Sequence, residues 1–214
     1  MIPTIAPYPM PIPPRDGPAP WRADPRRSVL LIHDMQRYFV DRFPADRSPG
    51  RELLANVAAL RSACLAGGIP IRYTAQPGRM SRADRGLLHD VWGPGMTDDE
   101  SSRGIVSSVA PTSPDLVVTK HRYSAFHRTS LAATMRTLSR DQLIVCGVFA
   151  HLGCLLTACD AYAHDIEPFL VSDAMADFTP EDHAMALDFA SRSCAATPTT
   201  ATVLSWLSTG APSI

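Results

Sequence analysis

The chain has 214 residues, 45% of them apolar, and 20 basic against 21 acidic side chains, for a net charge of −1. That length predicts one domain able to bury roughly 70% of the surface its unfolded chain exposes, so neither disulfides nor a structural metal is needed to hold a core. The charge balance excludes the basic excess of a nucleic-acid binder, and five cysteines without a C-x-x-C pair suit a reducing compartment better than a disulfide framework.

Nine of the 20 prolines fall in the first 25 residues. Such a segment cannot be helical and makes a poor strand. Tyr8, Met10, Ile12 and Trp21 suit an arm packed on a surface, its own or a partner's, better than a solvated tail. The segment has no basic opening and no uninterrupted apolar run, which argues against a signal peptide. Residues 1–27 are therefore read as a Pro-rich arm and 28–214 as a single domain.

Short, continuous apolar runs then recur: SVLLIHD, IPIRYTA, DLVVTK, LIVCGV and EPFLVSD. Each reads as a strand buried on both faces. Between them, ELLANVAALRSACLAGG has helical spacing and a Gly67-Gly68 stop. SLAATMRTL and LLTACDAYAH have the same spacing. Thr179-Pro180-Glu181-Asp182 opens a further helix, with Thr as N-cap, Pro in the first turn and acids behind it. Alternating strands and helices predict a three-layer α/β/α domain with a Rossmann-like, mostly parallel sheet. The segment from Ala75 to about Pro114 breaks the alternation, with one helical piece near Asp84 to Val91, and reads as an ordered lid carrying Met80, Trp92 and Met96. Leu143 to Cys159 is 17 residues without a formal charge. It reads as a strand, a turn and a helix rather than a membrane span, so a soluble, cytoplasmic protein is expected.

Ligands of such sheets bind beyond the carboxyl ends of the strands. Those ends deliver His33-Asp34, Gln76, Lys120, the run Phe149 to Gly153, and Ser172-Asp173. Lys120 is the only lysine, the other 19 basic residues being arginines. A site that needs a compact ammonium cannot use a planar guanidinium. Asp34 is a candidate acid, although strand-end acids also cap turns. His33 and His151 read as packed, hydrogen-bonded residues. No metal-ligand cluster, G-x-G-x-x-G or P-loop pattern occurs, so neither a metal nor a cofactor is expected. Cys154 begins a helix, where a thiolate is favoured, but buried structural cysteine is the common alternative.

The segments LLIHDMQRYF, YTAQPG, RGLLHDVWGPGM, TKHRYSAFHRT, GVFAHLGC and DAYAHDIEPFLVSDAMADF resemble the isochorismatase branch of the isochorismatase-like hydrolases over about Trp21 to Thr202. Within that branch the chain looks most like members that serve phenazine pathways. The resemblance implies hydrolysis of an enolpyruvyl ether, either 2-amino-2-deoxyisochorismate to pyruvate and trans-2,3-dihydro-3-hydroxyanthranilate or isochorismate to its dihydrodiol. It implies Asp34, Lys120 and Gly153 as the catalytic set, Gly153 standing where the amidase members of the wider superfamily carry a nucleophilic cysteine. Gln76, Arg85, Trp92, Phe149 and Tyr38 would line the pocket. Relatives commonly have Tyr at the place of Phe149 and Trp at that of His121. The implied partner is a small dianionic substrate, with no nucleic acid or membrane, in a homodimer. Two other readings are carried forward: a cysteine amidase using Cys154, and a silent scaffold subunit.

Overall fold

The computed structural model describes residues 2–14, 17–112 and 116–209. Strands β1 (Ser28–His33), β2 (Ile71–Ala75), β3 (Leu116–Thr119), β4 (Gln142–Val148) and β5 (Glu167–Ala176) form one parallel sheet in the order β3-β2-β1-β4-β5. The helices are α1 (Arg37–Val40), α2 (Gly50–Ala66), α3 (Arg82–Arg85), α4 (Leu88–Trp92), α5 (Glu100–Arg103), α6 (Leu131–Thr137), α7 (Leu155–Ala163), α8 (Pro180–Ser193) and α9 (Thr200–Thr209). The chain builds outward from β1 through β2 to β3, then crosses back to place β4 on the other side of β1. The crevice of a doubly wound sheet opens at such a reversal.

Alternation along each strand supplies two cores. Leu30 and Ile32 of β1, Ile144 and Cys146 of β4, and Phe169 and Val171 of β5 face α2 and α9. Val29, Leu31, Leu143, Val145 and Leu170 face α6, α7 and α8. Helix α2 presents Leu53, Val57, Leu60 and Cys64 at i, i+3, i+4 spacing and ends in Gly67 and Gly68, the latter at φ +63. Thr179 caps α8 as the sequence predicts, its Oγ1 accepting from the Asp182 amide at 3.0 Å. The uncharged run from Leu143 divides into β4 and α7, and no helix among the described residues is long and apolar enough to cross a membrane.

One expectation is narrowed and two change. The arm packs on its own chain: Ile2, Ile5 and Tyr8 are buried in the core that α2 and α9 share, and the Ile5 and Tyr8 amides donate to Arg42 O and Ser48 O. It is thus part of the domain's core rather than an appendage to it. The helical piece expected near Asp84 to Val91 is two helices, α3 and α4, because Gly86 turns the chain at φ +55. Strand β5 continues past Ser172-Asp173 to Ala176, through an irregularity opposite Val145 and Gly147. Pro114 and Asp115, at the expected lid end and third-strand start, lie outside the described residues.

Candidate active site

At the end of β1 the chain turns at Asp34, φ +50, a left-handed conformation that Asp tolerates better than most residues. The neighbouring strand fixes this turn: Thr74 Oγ1 accepts from the Asp34 amide at 3.0 Å and donates to Asp34 Oδ1 at 2.6 Å. From the end of β3, Lys120 brings its Nζ to 2.8 Å from Asp34 Oδ2. Both residues are almost wholly buried. Lys120 also donates to the carbonyls of Arg122 at 3.0 Å and Tyr123 at 3.2 Å. Its three protons are thereby committed to the protein. Burial raises the proton affinity of Asp34, but Lys120 and the surrounding hydrogen bonds outweigh it and hold the pKa below the ordinary carboxylate value. At neutral pH these neighbours keep the carboxyl ionised.

Gln76, just past β2, joins this pair to a second cation. Its Nε2 donates to Asp34 Oδ2 at 3.2 Å, and its Oε1 accepts from Arg85 at 3.4 Å. Buried Gln36 holds the Gln76 backbone from both sides, accepting from its amide at 2.8 Å and donating to its carbonyl at 3.0 Å. Arg85 is 5% exposed and donates to Gly93 O at 2.7 Å. Desolvation lowers its pKa, and among the described residues no carboxylate pairs with it. A buried guanidinium of this kind can accept an anionic partner through charge-assisted hydrogen bonds.

An aromatic wall faces these polar groups. Phe149 stacks on Phe178 with ring centres 4.1 Å apart, and Phe178 stacks on Trp92 at 5.6 Å. Trp92 Nε1 donates to the Tyr123 hydroxyl at 2.6 Å, fastening the lid to the segment after β3. The cleft between them is lined by, among others, Asp34, Gln76, Arg85, Trp92, Lys120, Phe149 and Gly153. Tyr38 is not on that lining; its neighbour Phe39 is, with Tyr38 packed edge-on against it at 5.1 Å. Ile2 of the arm also lines the cleft.

Beyond β4, residues Ala150–Cys154 form one π-helical turn ahead of α7. Two of its amides are engaged within the protein: His151 N with Asp177 Oδ2 at 2.6 Å and Cys154 N with Phe149 O at 3.2 Å. Cys154 points into the core under α7 and is off the cleft lining. Burial pushes its thiol well above the ordinary range. Among the described residues, the lining contains no cysteine, serine or threonine. His151 Nδ1 lies 2.8 Å from Asp177 Oδ1, which raises the His151 pKa against the opposing effect of burial. His151, Asp177 and Asp182 have the spacing of a cation site. The Asp177 oxygens, however, already accept from His151 and the Phe178 amide, and Asp182 accepts from Thr179.

The family model for the isochorismatase domain matches residues 28–203. The chain belongs to the isochorismatase family. Its membership makes it a hydrolase. A Bacillus subtilis protein named isochorismatase is 51% identical over 96% of this chain and 67% of its own length. The Pseudomonas aeruginosa phenazine biosynthesis protein PhzD1 is 49% identical over 95% of this chain and 98% of its own. A solved cysteine hydrolase from Pseudomonas syringae pv. phaseolicola shares the fold, with TM-score 0.82 at 23% identity over 89% of this chain and 97% of its own. Within the isochorismatase fold, residues that sequence reasoning missed complete the site: Thr74, Gln36, Tyr123, Phe178 and Asp177. All five lie within the segments quoted for the resemblance, Gln36 in the HDMQ run and Thr74 ahead of Gln76 among them, and Phe178 lies two residues beyond the observed end of β5 but five beyond its expected end at Asp173.

Proposed function

We propose that this isochorismatase-family hydrolase cleaves the enolpyruvyl ether of 2-amino-2-deoxyisochorismate, releasing pyruvate and trans-2,3-dihydro-3-hydroxyanthranilate. The observation that carries the reading is the buried Asp34–Lys120 pair in a cleft whose lining has no thiol or hydroxyl nucleophile other than the phenol of Tyr123. A vinyl ether needs no nucleophilic side chain. It needs a proton on its terminal methylene carbon, which leaves an oxocarbenium ion. Water adds to that cation, the hemiketal collapses to pyruvate and a ring alcohol, and the proton lost by water returns to the carboxylate. A positioned general acid contributes roughly 10² to 10⁴ in rate to such a step.

Asp34 is the acid in this reading. The empty site holds it ionised, so the substrate must bring the proton affinity back up. A dianion does so: its carboxylates meet Arg85 and Gln76, and their charge beside Asp34 favours the protonated carboxyl. Lys120 then holds the carboxyl in place and stabilises its conjugate base after proton transfer. The aromatic wall of Trp92, Phe178 and Phe149 suits the flat cyclohexadiene. The 49% identity to the phenazine biosynthesis protein over nearly its whole length supports the amino substrate. The 51% identity to the protein named isochorismatase supports isochorismate as the second reading.

The test is Asp34→Asn in a pyruvate assay coupled to lactate dehydrogenase. Pyruvate release is expected to vanish while substrate binding persists, and near wild-type turnover overturns the assignment. Rates on the two substrates side by side decide between amino and hydroxyl.

A further inference from the structure

His33 and position 153 compete for the same space. A Cβ built on Gly153 would overlap the His33 ring carbon Cε1, with Nδ1 at 2.8 Å and Nε2 at 2.9 Å. Real side chains do not approach so closely. The ring cannot swing aside, because it is fully buried and its Nδ1 donates to Val148 O at 2.9 Å. That bond ties the end of β1 to the end of β4, the two strands that flank the crevice. The other ring nitrogen, Nε2, is buried without a hydrogen-bond partner. Burial lowers the ring's pKa to about 4, so it adds no charge beside Lys120 at neutral pH.

We propose that His33 is a positioning residue that decides which chemistry the cleft can host: its imidazole occupies the volume of a residue-153 side chain, keeping a nucleophile out of the site and pinning the 148–153 turn beside Asp34. Glycine at 153 is then not a lost side chain but one half of a matched pair. A smaller residue at 33 would reopen the space in which a cysteine at 153 could stand. The proposal rests on the reading of position 153 as the nucleophile's place in related amidases. Its test reads melting and alkylation rather than pyruvate release, so it fails or stands separately from the ether-hydrolase reading.

The experiment compares Gly153→Cys, His33→Val and the double variant with the parent protein. Overpacking a core is destabilising. For a chain of this size Gly153→Cys alone should therefore melt roughly 3–10 °C lower. In the His33→Val background the same change should cost less than about 2 °C. Iodoacetamide labelling located at residue 153 by peptide mass should be at least about tenfold faster in the double variant, in keeping with a thiol that has gained access. A histidine with a purely structural role predicts no coupling, the two losses simply adding. Equal cost of Gly153→Cys in both backgrounds, or a wild-type melt for Gly153→Cys alone, overturns the proposal. If neither cysteine variant accumulates, Gly153→Ala in the two backgrounds gives the same comparison, and its failure in both also overturns it.

Discussion

Lys120 Nζ and Asp34 Oδ2 stand 2.8 Å apart, and neither side chain reaches water to any useful extent. The ammonium fits because three acceptors converge on it: the carboxylate and the carbonyls of Arg122 and Tyr123. A guanidinium carries its donors in a plane and is too large for that spot. Lys120→Arg should therefore lower kcat at least about tenfold and melt several degrees lower, consistent with overpacking plus an imperfectly met buried charge. Steady-state kinetics and a melting curve check this, and normal kinetics would remove Lys120 from the site.

The same pair predicts a proton balance on binding. Asp34 is held ionised in the empty cleft, with its pKa below the ordinary value, yet must carry a proton to act as an acid. A non-hydrolysable dianionic analogue should accordingly take up close to one proton at neutral pH. Titration calorimetry in two buffers of different ionisation enthalpy measures that number, and zero uptake would contradict the scheme. In Asp34→Asn the uptake should disappear.

Arg85 waits without a carboxylate in a desolvated pocket. Its loss should act on affinity, since a hydrogen bond to a charged group contributes about 1.5–3 kcal/mol. Arg85→Gln is expected to raise KM roughly 10- to 150-fold. Its melting temperature should hold or rise, because an unpaired buried cation is removed. A pronounced loss of stability with unchanged KM would mean that Arg85 serves the fold instead.

Cys154 lies on the far side of the π-helical turn from the cleft, its thiol held protonated by burial. Cys154→Ala should keep most of the activity and lose about 1 kcal/mol or less of stability for so small a truncation. Iodoacetamide should leave native turnover unchanged. Full inactivation by either change would restore the amidase reading.

Two wholly buried histidines, His33 and His183, have pKa values lowered to about 4. Their unfolded value is about 6.5. Between these limits the unfolded chain binds more protons, so stability falls as the pH drops from 6.5 towards 4. Integrated to pH 5, each site costs on the order of 2 kcal/mol, with His151, whose pKa is raised, partly offsetting the sum. Urea unfolding at pH 7 and pH 5 should show the lower midpoint at pH 5. Equal midpoints would mean that these rings are not buried neutral.

Much of the frame was legible in the residues because its signals are local. Five apolar runs marked five strands, and Thr179-Pro180 marked the start of α8. Asp34, Gln76 and Lys120 could be found because strand ends in this architecture face the crevice. What escaped was set by distant partners. Ser172 and Asp173 look like a strand terminus, yet β5 runs through them because Ser172 Oγ donates to Pro198 O and Asp173 receives the Thr200 amide and hydroxyl. Only that continuation brings Phe178 to the cleft and Asp177 to His151 in the turn beyond β4. Tyr38 and Phe39 are adjacent and both aromatic, so pattern could not say which one would face the substrate. The overlap between His33 and Gly153 has no trace in spacing, since the two meet only when β1 and β4 pair.

The Tyr8 hydroxyl, which receives the Asp177 amide at 2.7 Å and lies near His183, joins groups 169 positions apart. As a ribosome extends the polypeptide, the arm meets Arg42 and Ser48 early but Asp177 and His183 only much later. The Tyr8 end of the arm is therefore fastened only after β5 and α8 have been made. Assembly of the catalytic chamber is thus a late event in biogenesis, and a nascent protein stalled before Asp177 would hold a nearly complete sheet with its entrance unfinished.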